Sequence, residues 1–257
     1  TATIAEGDLT TLAGLNETGN AYTVTVTDTS ATAAALTTLD GKTTVAVTAS
    51  AVTSLSGTAT EVIAAYAADT AGTLVLDNDE AVSVSGSVSV ANANTISSKT
   101  SGAVTATIAE NDSSTLATLT GTGNAYTVNI TSTSVNALDF KNIDLATTVT
   151  VNSSNITTIE GGINEIMDVY ASNGISNLGN EAVTVLTTTV NAEDLNTVNT
   201  ATSGVVDASA VDTIQGQASV VKITYDAFAL NQISGLNNEA ITLTDESIAA
   251  TLLNAVN

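Results

Sequence analysis

Several residue types that usually carry chemistry or constrain a chain are missing from this sequence. Its 257 residues contain no Cys, His, Pro or Trp, and all four basic residues are Lys, so Arg is missing too. Without Cys there is no disulfide framework and no thiolate nucleophile. Without His the chain lacks the commonest general base and transition-metal ligand. Without Pro, no residue after the first is barred from donating its backbone N–H to a hydrogen-bonded ladder.

Positive charge is scarce as well. The 26 Asp and Glu residues outnumber the Lys residues to give a formal net charge of −22. Because such a surface repels phosphate groups and anionic lipid, we expect no nucleic-acid partner. No stretch approaches 18 uninterrupted apolar residues, so we also expect no membrane insertion.

The composition gives little support to catalysis. A Ser nucleophile would have only Lys or a carboxylate as its base. No acidic pair stands out from the repeat pattern as the two carboxylates of a glycosidase would. We therefore expect no enzymatic activity and no cofactor, with a polysaccharide-degrading β-helix as the catalytic alternative.

The apolar residues are small. Hydrophobic residues make up 43% of the chain but aromatic residues only 3%, and the mean hydropathy is +0.29. A core of Ala, Val, Thr and Leu is thin, which is typical of stacked repeats in which each layer buries a few side chains against the next. The positive hydropathy and the regular V-x-V segments argue against a disordered chain.

Internal repetition is the strongest signal in the sequence. Residues 1–67 align without a gap with residues 105–171, an offset of 104, and the segment GNAYTV occurs at both 19–24 and 123–128. A finer unit of about 52 residues lies inside this repeat. We expect one continuous segment of a longer protein, whose neighbouring repeats are its partners. Its units are roughly 1–43, 44–102, 103–147, 148–203 and 204–257.

The spacing of the V-x-V segments predicts parallel strands. Successive segments are joined by Leu-spaced or helical stretches long enough for a crossover, and no two-residue Asn-Gly or Asp-Gly turn separates them. We therefore predict a mainly β fold, a parallel β-solenoid with rungs of about 20–36 residues and short helical inserts. A hairpin meander and a leucine-rich-repeat horseshoe are the alternatives; the horseshoe's Leu-x-Leu-x-x-Asn signature is missing.

The inserts are predicted to be helical. Val62, Ala65 and Tyr66 fall at i, i+3 and i+4, which is one face of a helix. Residues 220–225 (VVKITY) read as a strand by themselves, but their position in the repeat predicts a helix. We expect the tyrosines, which all recur at repeat positions, to fill packing niches with their hydroxyls bonded.

The densest acidic cluster is at residues 77–80. Asp77, Asp79 and Glu80 offer hard oxygen ligands at close spacing, which suits Ca²⁺. The repeat supplies another interpretation, because similar segments precede strands at 178–183 and 236–241, so the cluster is a turn in which Asn adopts a left-handed conformation. We favour the turn and keep calcium as the alternative. A side-chain amide ladder is predicted at these turns: Asn20, Asn78, Asn124, Asn180 and Asn238.

The segments GNAYTV, ALTTLDGKTTVAV (35–47) and GISNLGNEAVTV (174–185) together resemble the repeats of very large cell-surface proteins of marine cyanobacteria. That group includes a giant protein linked to swimming motility and commonly uses type I secretion. The resemblance implies an extracellular, cell-surface location. It also implies a structural role as a stiff stalk, spacer or surface-layer coat. The alternative is an adhesin or tail-fibre shaft that binds a glycan or receptor through an exposed strand face. Self-association is a further expectation.

Overall fold

The computed structural model describes residues 1–254, which form two compact units. The first comprises Thr1–Glu110, Thr118–Val128 and Ala146–Val149; the second takes the other described residues. The prediction that the chain is one continuous segment stays a prediction.

Short strands alternate with helices in both units. The strands of the first unit are β1 (Ala2–Thr3), β2 (Tyr22–Thr23), β3 (Ser30–Thr32), β4 (Val47–Thr48), β5 (Ser54–Thr58), β6 (Leu74–Val75), β7 (Ala81–Val88), β8 (Val104–Ile108) and β9 (Ala125–Thr127). Its helices are α1 (Leu9–Leu12), α2 (Ala33–Asp40), α3 (Ala59–Ala71) and α4 (Val90–Ser97).

The second unit repeats the pattern. Its strands are β10 (Ser134–Asn136), β11 (Val151–Asn152), β12 (Thr158–Gly161), β13 (Ile175–Ser176), β14 (Ala182–Val185), β15 (Thr189–Asn191), β16 (Val206–Asp207), β17 (Thr213–Gly216), β18 (Ile233–Ser234) and β19 (Ala240–Leu243). Its helices are α5 (Ser113–Leu116), α6 (Ala137–Ala146, the last residue in the first unit), α7 (Ile163–Ala171), α8 (Ala192–Ala201), α9 (Ala218–Ala229) and α10 (Ala250–Leu253). Several elements lie 104 residues from their counterparts, as β3 and β10 do.

Every strand pairing in the described residues is parallel, as the sequence predicts. Sheets of up to five strands follow the orders β3-β5-β7-β8-β9 and β10-β12-β14-β16-β18. Paired residues lie 20 to 27 positions apart, from Ala2 with Tyr22 to Ser54 with Ala81. The rungs therefore fall within the lower part of the predicted range of 20–36 residues, and none between paired strands reaches its upper part.

The helical content is larger than predicted. Helices hold more of the described residues than strands do, so the arrangement is a repeated α/β one rather than mainly β with short inserts. The Leu-spaced connections account for the difference, because Leu36 and Leu39 lie in α2. Thr32 caps the N-terminus of this helix: its side chain accepts a hydrogen bond from the backbone amide of Ala35. Such a capped, Ala-rich segment needs only an apolar stripe to form a helix.

The core consists of apolar columns that run from rung to rung. In the second unit, parallel registration places five residues in one buried column: Val135, Ile159, Val183, Val206 and Ile233. The predicted helical face of α3 is confirmed, because Val62, Ala65 and Tyr66 are all buried. The predicted helix at 220–225 is confirmed within α9.

Candidate functional site

A tyrosine and a glutamate meet at a turn in three places. The Tyr66 hydroxyl donates to Glu80 Oε2 at 3.1 Å, and the Tyr170 hydroxyl donates to Glu181 Oε2 at 3.2 Å. The Tyr225 hydroxyl donates to Glu239 Oε1. In each pair the tyrosine lies on a helix and the glutamate directly precedes a strand of the next rung. The structure thus repeats one polar contact at three helix-to-strand connections.

The glutamates also accept hydrogen bonds from the backbone of their own turns. Glu80 Oε1 accepts from the Asn78 amide at 3.1 Å. Glu181 Oε2 accepts from the amides of Gly179 and Asn180 at 2.9 and 3.1 Å, and Glu239 Oε2 accepts from Asn237 and Asn238 at 2.8 and 3.0 Å. A carboxylate that accepts from the N–H groups of its own turn holds that turn in one conformation.

The three glutamates differ in how deeply they are buried. Glu80 and Glu181 are fully buried, whereas Glu239 is half-buried. At Glu181 all three hydrogen bonds fall on Oε2, and Oε1 has no hydrogen-bond partner among the described residues. A buried carboxylate is costly unless it is hydrogen-bonded, so the bonds that Glu80 and Glu181 do make hold the turns in place, which favours a structural role.

The pKa values follow from this environment. Burial, followed by the nearby Glu80 charge, raises the pKa of Tyr66 far above its usual range, and burial does the same for Tyr170 and Tyr225. The phenols therefore stay protonated and act as hydrogen-bond donors. Burial pushes the pKa of Glu239 upward, but the Tyr225 hydroxyl and the turn amides outweigh it and leave that pKa lowered.

A threonine joins two of these turns to the following rung. Thr100 Oγ1 donates to the Glu80 carbonyl at 2.7 Å, and Thr202 Oγ1 donates to the Glu181 carbonyl at 2.6 Å. Each hydroxyl also accepts from the amide of a glycine two residues later, Gly102 or Gly204. A Cβ on Gly102 would lie 2.3 Å from the Glu80 carbonyl oxygen, so only glycine fits there.

The three residues predicted as calcium ligands are placed differently from one another. Asp77 and Asp79 are exposed, whereas Glu80 is buried against Tyr66. In residues 1–254, no three Asp, Glu, His or Cys side chains are grouped closely enough to hold a metal ion. The turn interpretation accounts for Glu80, and Asn78 has the predicted left-handed backbone with φ of 59°. Calcium binding stays a prediction.

The predicted amide ladder is not what the asparagines form. Asn78 donates to Asp69 at 3.2 Å, while Asn124 accepts from the Val104 amide at 2.9 Å and donates to Ser97 at 3.2 Å. The register explains the difference, because the next rung places Thr44, Ser101 and Thr148 beside Asn20, Asn78 and Asn124, and no second asparagine is in line to stack.

Sequence reasoning found the turns but missed the tyrosine–glutamate pairing. The available signal was a Glu directly before a strand, which recurs 14, 11 and 14 residues after a Tyr. Tyr66 and Tyr126 are fully buried, as the packing prediction requires. The predicted hydroxyl bonds are present at Tyr66, Tyr170 and Tyr225, but the buried Tyr126 hydroxyl has no partner among the described residues.

An apolar groove of about 260 Å³ lies between α3 and α4. Its lining includes Ile63, Tyr66, Ala67, Ile96 and Lys99. Lys99 is the only charged group in this lining, and the hydroxyls of Thr70 and Thr95 donate to carbonyls of their own helices. The groove therefore lacks the convergent polar groups that orient a small ligand.

No family model, curated protein or solved structure matches the chain. Within residues 1–254, no helix combines the length and apolar character needed to cross a membrane.

Proposed function

We propose that the chain is a non-catalytic structural repeat module of an extracellular cell-surface protein, acting as a stiff stalk, spacer or coat. Its parallel rungs would then be the coils of a β-solenoid with a helix in most coils. Partners in this role are neighbouring repeats of the same chain.

The observation that carries this proposal is the way buried polar groups are used. In the three tyrosine–glutamate pairs, the glutamate accepts from the tyrosine hydroxyl and from backbone amides of its turn. Thr100 and Thr202 donate to a backbone carbonyl of the preceding rung. These polar side chains therefore hold one rung in place against the next, and their hydrogen-bonding groups are already occupied. A module whose task is to hold its own shape needs this kind of bonding.

The acidic surface supports the same role. The net charge of −22 favours solubility and discourages collapse onto other anionic surfaces. Within residues 1–254 two Lys residues form ion pairs, Lys141 with Asp168 and Lys222 with Asp226, and both pairs lie at the surface. Such pairs contribute little stability, so the core columns dominate.

The adhesin alternative receives less support from the tyrosines. Sugar platforms use exposed aromatic faces, but Tyr66 and Tyr126 are fully buried and Tyr170 and Tyr225 are half-buried with bonded hydroxyls. Tyr22, also half-buried, is a single ring and not a platform, so glycan binding would depend mainly on hydroxyl and amide side chains.

Surface labelling tests the proposal. An antibody raised against this segment should label intact producing cells, and protease added outside those cells should remove the label. Label that appears only after lysis would contradict the extracellular role. A glycan array on the purified segment tests the adhesin alternative, for which specific binding is the expected result.

A further inference from the structure

The chain contains one Asn-Gly step, Asn173–Gly174, in the connection between α7 and β13. Asn173 is exposed to solvent. An asparagine followed by glycine is the dipeptide most prone to lose its side-chain amide, because glycine has no Cβ to hinder the attacking nitrogen. This step is therefore the position of the sequence at which spontaneous deamidation is most favoured.

The reaction would damage the rung in which it occurs. The Gly174 nitrogen attacks the side-chain carbonyl carbon of Asn173, a C–N bond forms, and the side-chain nitrogen leaves as ammonia with the proton of the Gly174 amide. Water then opens the five-membered imide to give aspartate or isoaspartate. Isoaspartate adds a methylene to the main chain directly before β13, whose buried Ile175 pairs with Val151.

In the folded chain the attacking nitrogen is already bound. The Gly174 amide donates to Ser172 Oγ at 2.9 Å. The Ser172 hydroxyl donates to Asp144 Oδ2 at 2.6 Å, so its hydrogen points away and a lone pair faces the glycine. The Gly174 nitrogen therefore cannot turn toward Asn173 without breaking this bond.

The rest of Gly174 is held as well. Its carbonyl accepts from the Val151 amide at 2.8 Å. A Cβ at Gly174 would lie 2.1 Å from Asp144 Oδ1, so the glycine packs directly against the carboxylate of α6. Closing the five-membered ring requires rotation about the bond between Cα and the carbonyl carbon of Asn173, and that rotation would pull Gly174 out of these contacts.

We propose that Asn173 is a deamidation site that Ser172, positioned by Asp144, keeps closed as long as the rung is folded. The same bond from a glycine amide to the hydroxyl two residues earlier occurs at Thr100–Gly102 and Thr202–Gly204. In those two copies the middle residue is a serine, which cannot deamidate. At 172–174 the motif thus gains a second role beyond holding a turn, which is to protect an exposed asparagine from chemical ageing.

Peptide mapping by mass spectrometry tests this site in the purified 257-residue chain, incubated for a long period at mildly alkaline pH. We expect Asn173 to stay intact in the folded parent and to deamidate when guanidinium chloride unfolds the chain. Ser172→Ala should deamidate many-fold faster than the parent while still folded. Ser172→Thr keeps the hydroxyl and should remain as slow as the parent.

A matched variant tests the motif without disturbing residues 172–174. Ser203 is exposed and stands between Thr202 and Gly204, so Ser203→Asn creates a second Asn-Gly step in the same setting. We expect this new step to deamidate as slowly as Asn173. Circular dichroism matched to the parent shows that the fold of each variant is intact.

Four results would overturn the proposal. Asn173 could deamidate equally fast in the folded and unfolded parent, Ser172→Ala could be as slow as the parent, or Ser203→Asn could deamidate rapidly with its fold intact. Fourthly, amide hydrogen exchange in Ser172→Ala could accelerate at Val151 as much as at Gly174. Loosening of the whole rung would then explain the faster reaction, and its assignment to the Ser172 hydroxyl would be wrong.

Discussion

The hydroxyl of Tyr66 donates a 3.1 Å hydrogen bond to the fully buried carboxylate of Glu80, 14 residues further along the chain. This bond joins a residue of α3 to the turn that begins β7. The same carboxylate accepts from the Asn78 amide, so one side chain fixes the turn and anchors it to the helix.

Removing the Tyr66 hydroxyl should destabilise the first unit. Tyr66→Phe leaves one oxygen of a buried carboxylate without its donor, which typically costs about 1–3 kcal/mol. Urea unfolding of parent and variant gives the difference directly. Tyr22→Phe is the matched control, because the Tyr22 hydroxyl has no hydrogen-bond partner in the described residues; equal losses from both variants would contradict the role given to Glu80.

Glu239 should make the stability of the second unit depend on pH. Its pKa in the folded chain lies below the ordinary value of 4.5, because the Tyr225 hydroxyl and the turn amides outweigh the effect of burial. The resulting stabilisation is present above that ordinary value and is lost as pH falls through the folded pKa. Urea midpoints measured across the acid range should fall less steeply for Glu239→Gln than for the parent. Identical slopes would show that this carboxylate is not linked to folding.

The hydroxyl of Thr202, and not the volume of its side chain, should stabilise the turn at Glu181. Thr202→Val keeps the volume but leaves the Glu181 carbonyl and the Gly204 amide without a partner, at a cost of about 1–3 kcal/mol for each buried group. Amide hydrogen exchange at Gly204 should speed up in this variant and remain slow in Thr202→Ser. Slow exchange in both would mean that water or another group replaces the hydroxyl.

A side chain at Gly102 should be poorly tolerated. The Cβ of Gly102→Ala would lie 2.3 Å from the Glu80 carbonyl oxygen, which forces the backbone to shift at a cost of about 1–3 kcal/mol. At Gly41 the nearest atom would be 3.5 Å away and φ is −66°, so Gly41→Ala should be close to neutral. Thermal unfolding of the two variants compares them; similar midpoints would contradict the close packing of Gly102 on the preceding rung.

The parallel pairing and the helical inserts were predictable because the repeat constrains them, whereas the amount of helix was underestimated. Residues 220–225 have the β-branched composition of a strand, yet their position in the repeat predicted a helix, and the structure has one there. Parallel pairing followed from the long connections between strands. The helix α2 was not predicted, because Leu36 and Leu39 alone do not distinguish a turn from a short capped helix.

The site was less predictable. The turn at 77–80 could be located, but the partner of Glu80 is set by how α3 packs on the next rung. A buried carboxylate and an exposed one look alike in a sequence, so Asp77, Asp79 and Glu80 read as one cluster although only Glu80 points inward.

Parallel registration of neighbouring rungs is the claim on which this account depends, and engineered cysteines test it in a chain that has none. Ser134 pairs with Thr158, and Asn136 pairs with Glu160. The double variant Ser134→Cys with Thr158→Cys should therefore form an intramolecular disulfide under mild oxidation, since facing residues lie within disulfide reach. Ser134→Cys with Glu160→Cys should not, because that pair is about 8 Å apart in a parallel ladder. Efficient bonding of the second pair and not the first, measured by mass spectrometry of the oxidised monomer, would indicate antiparallel strands and contradict the account.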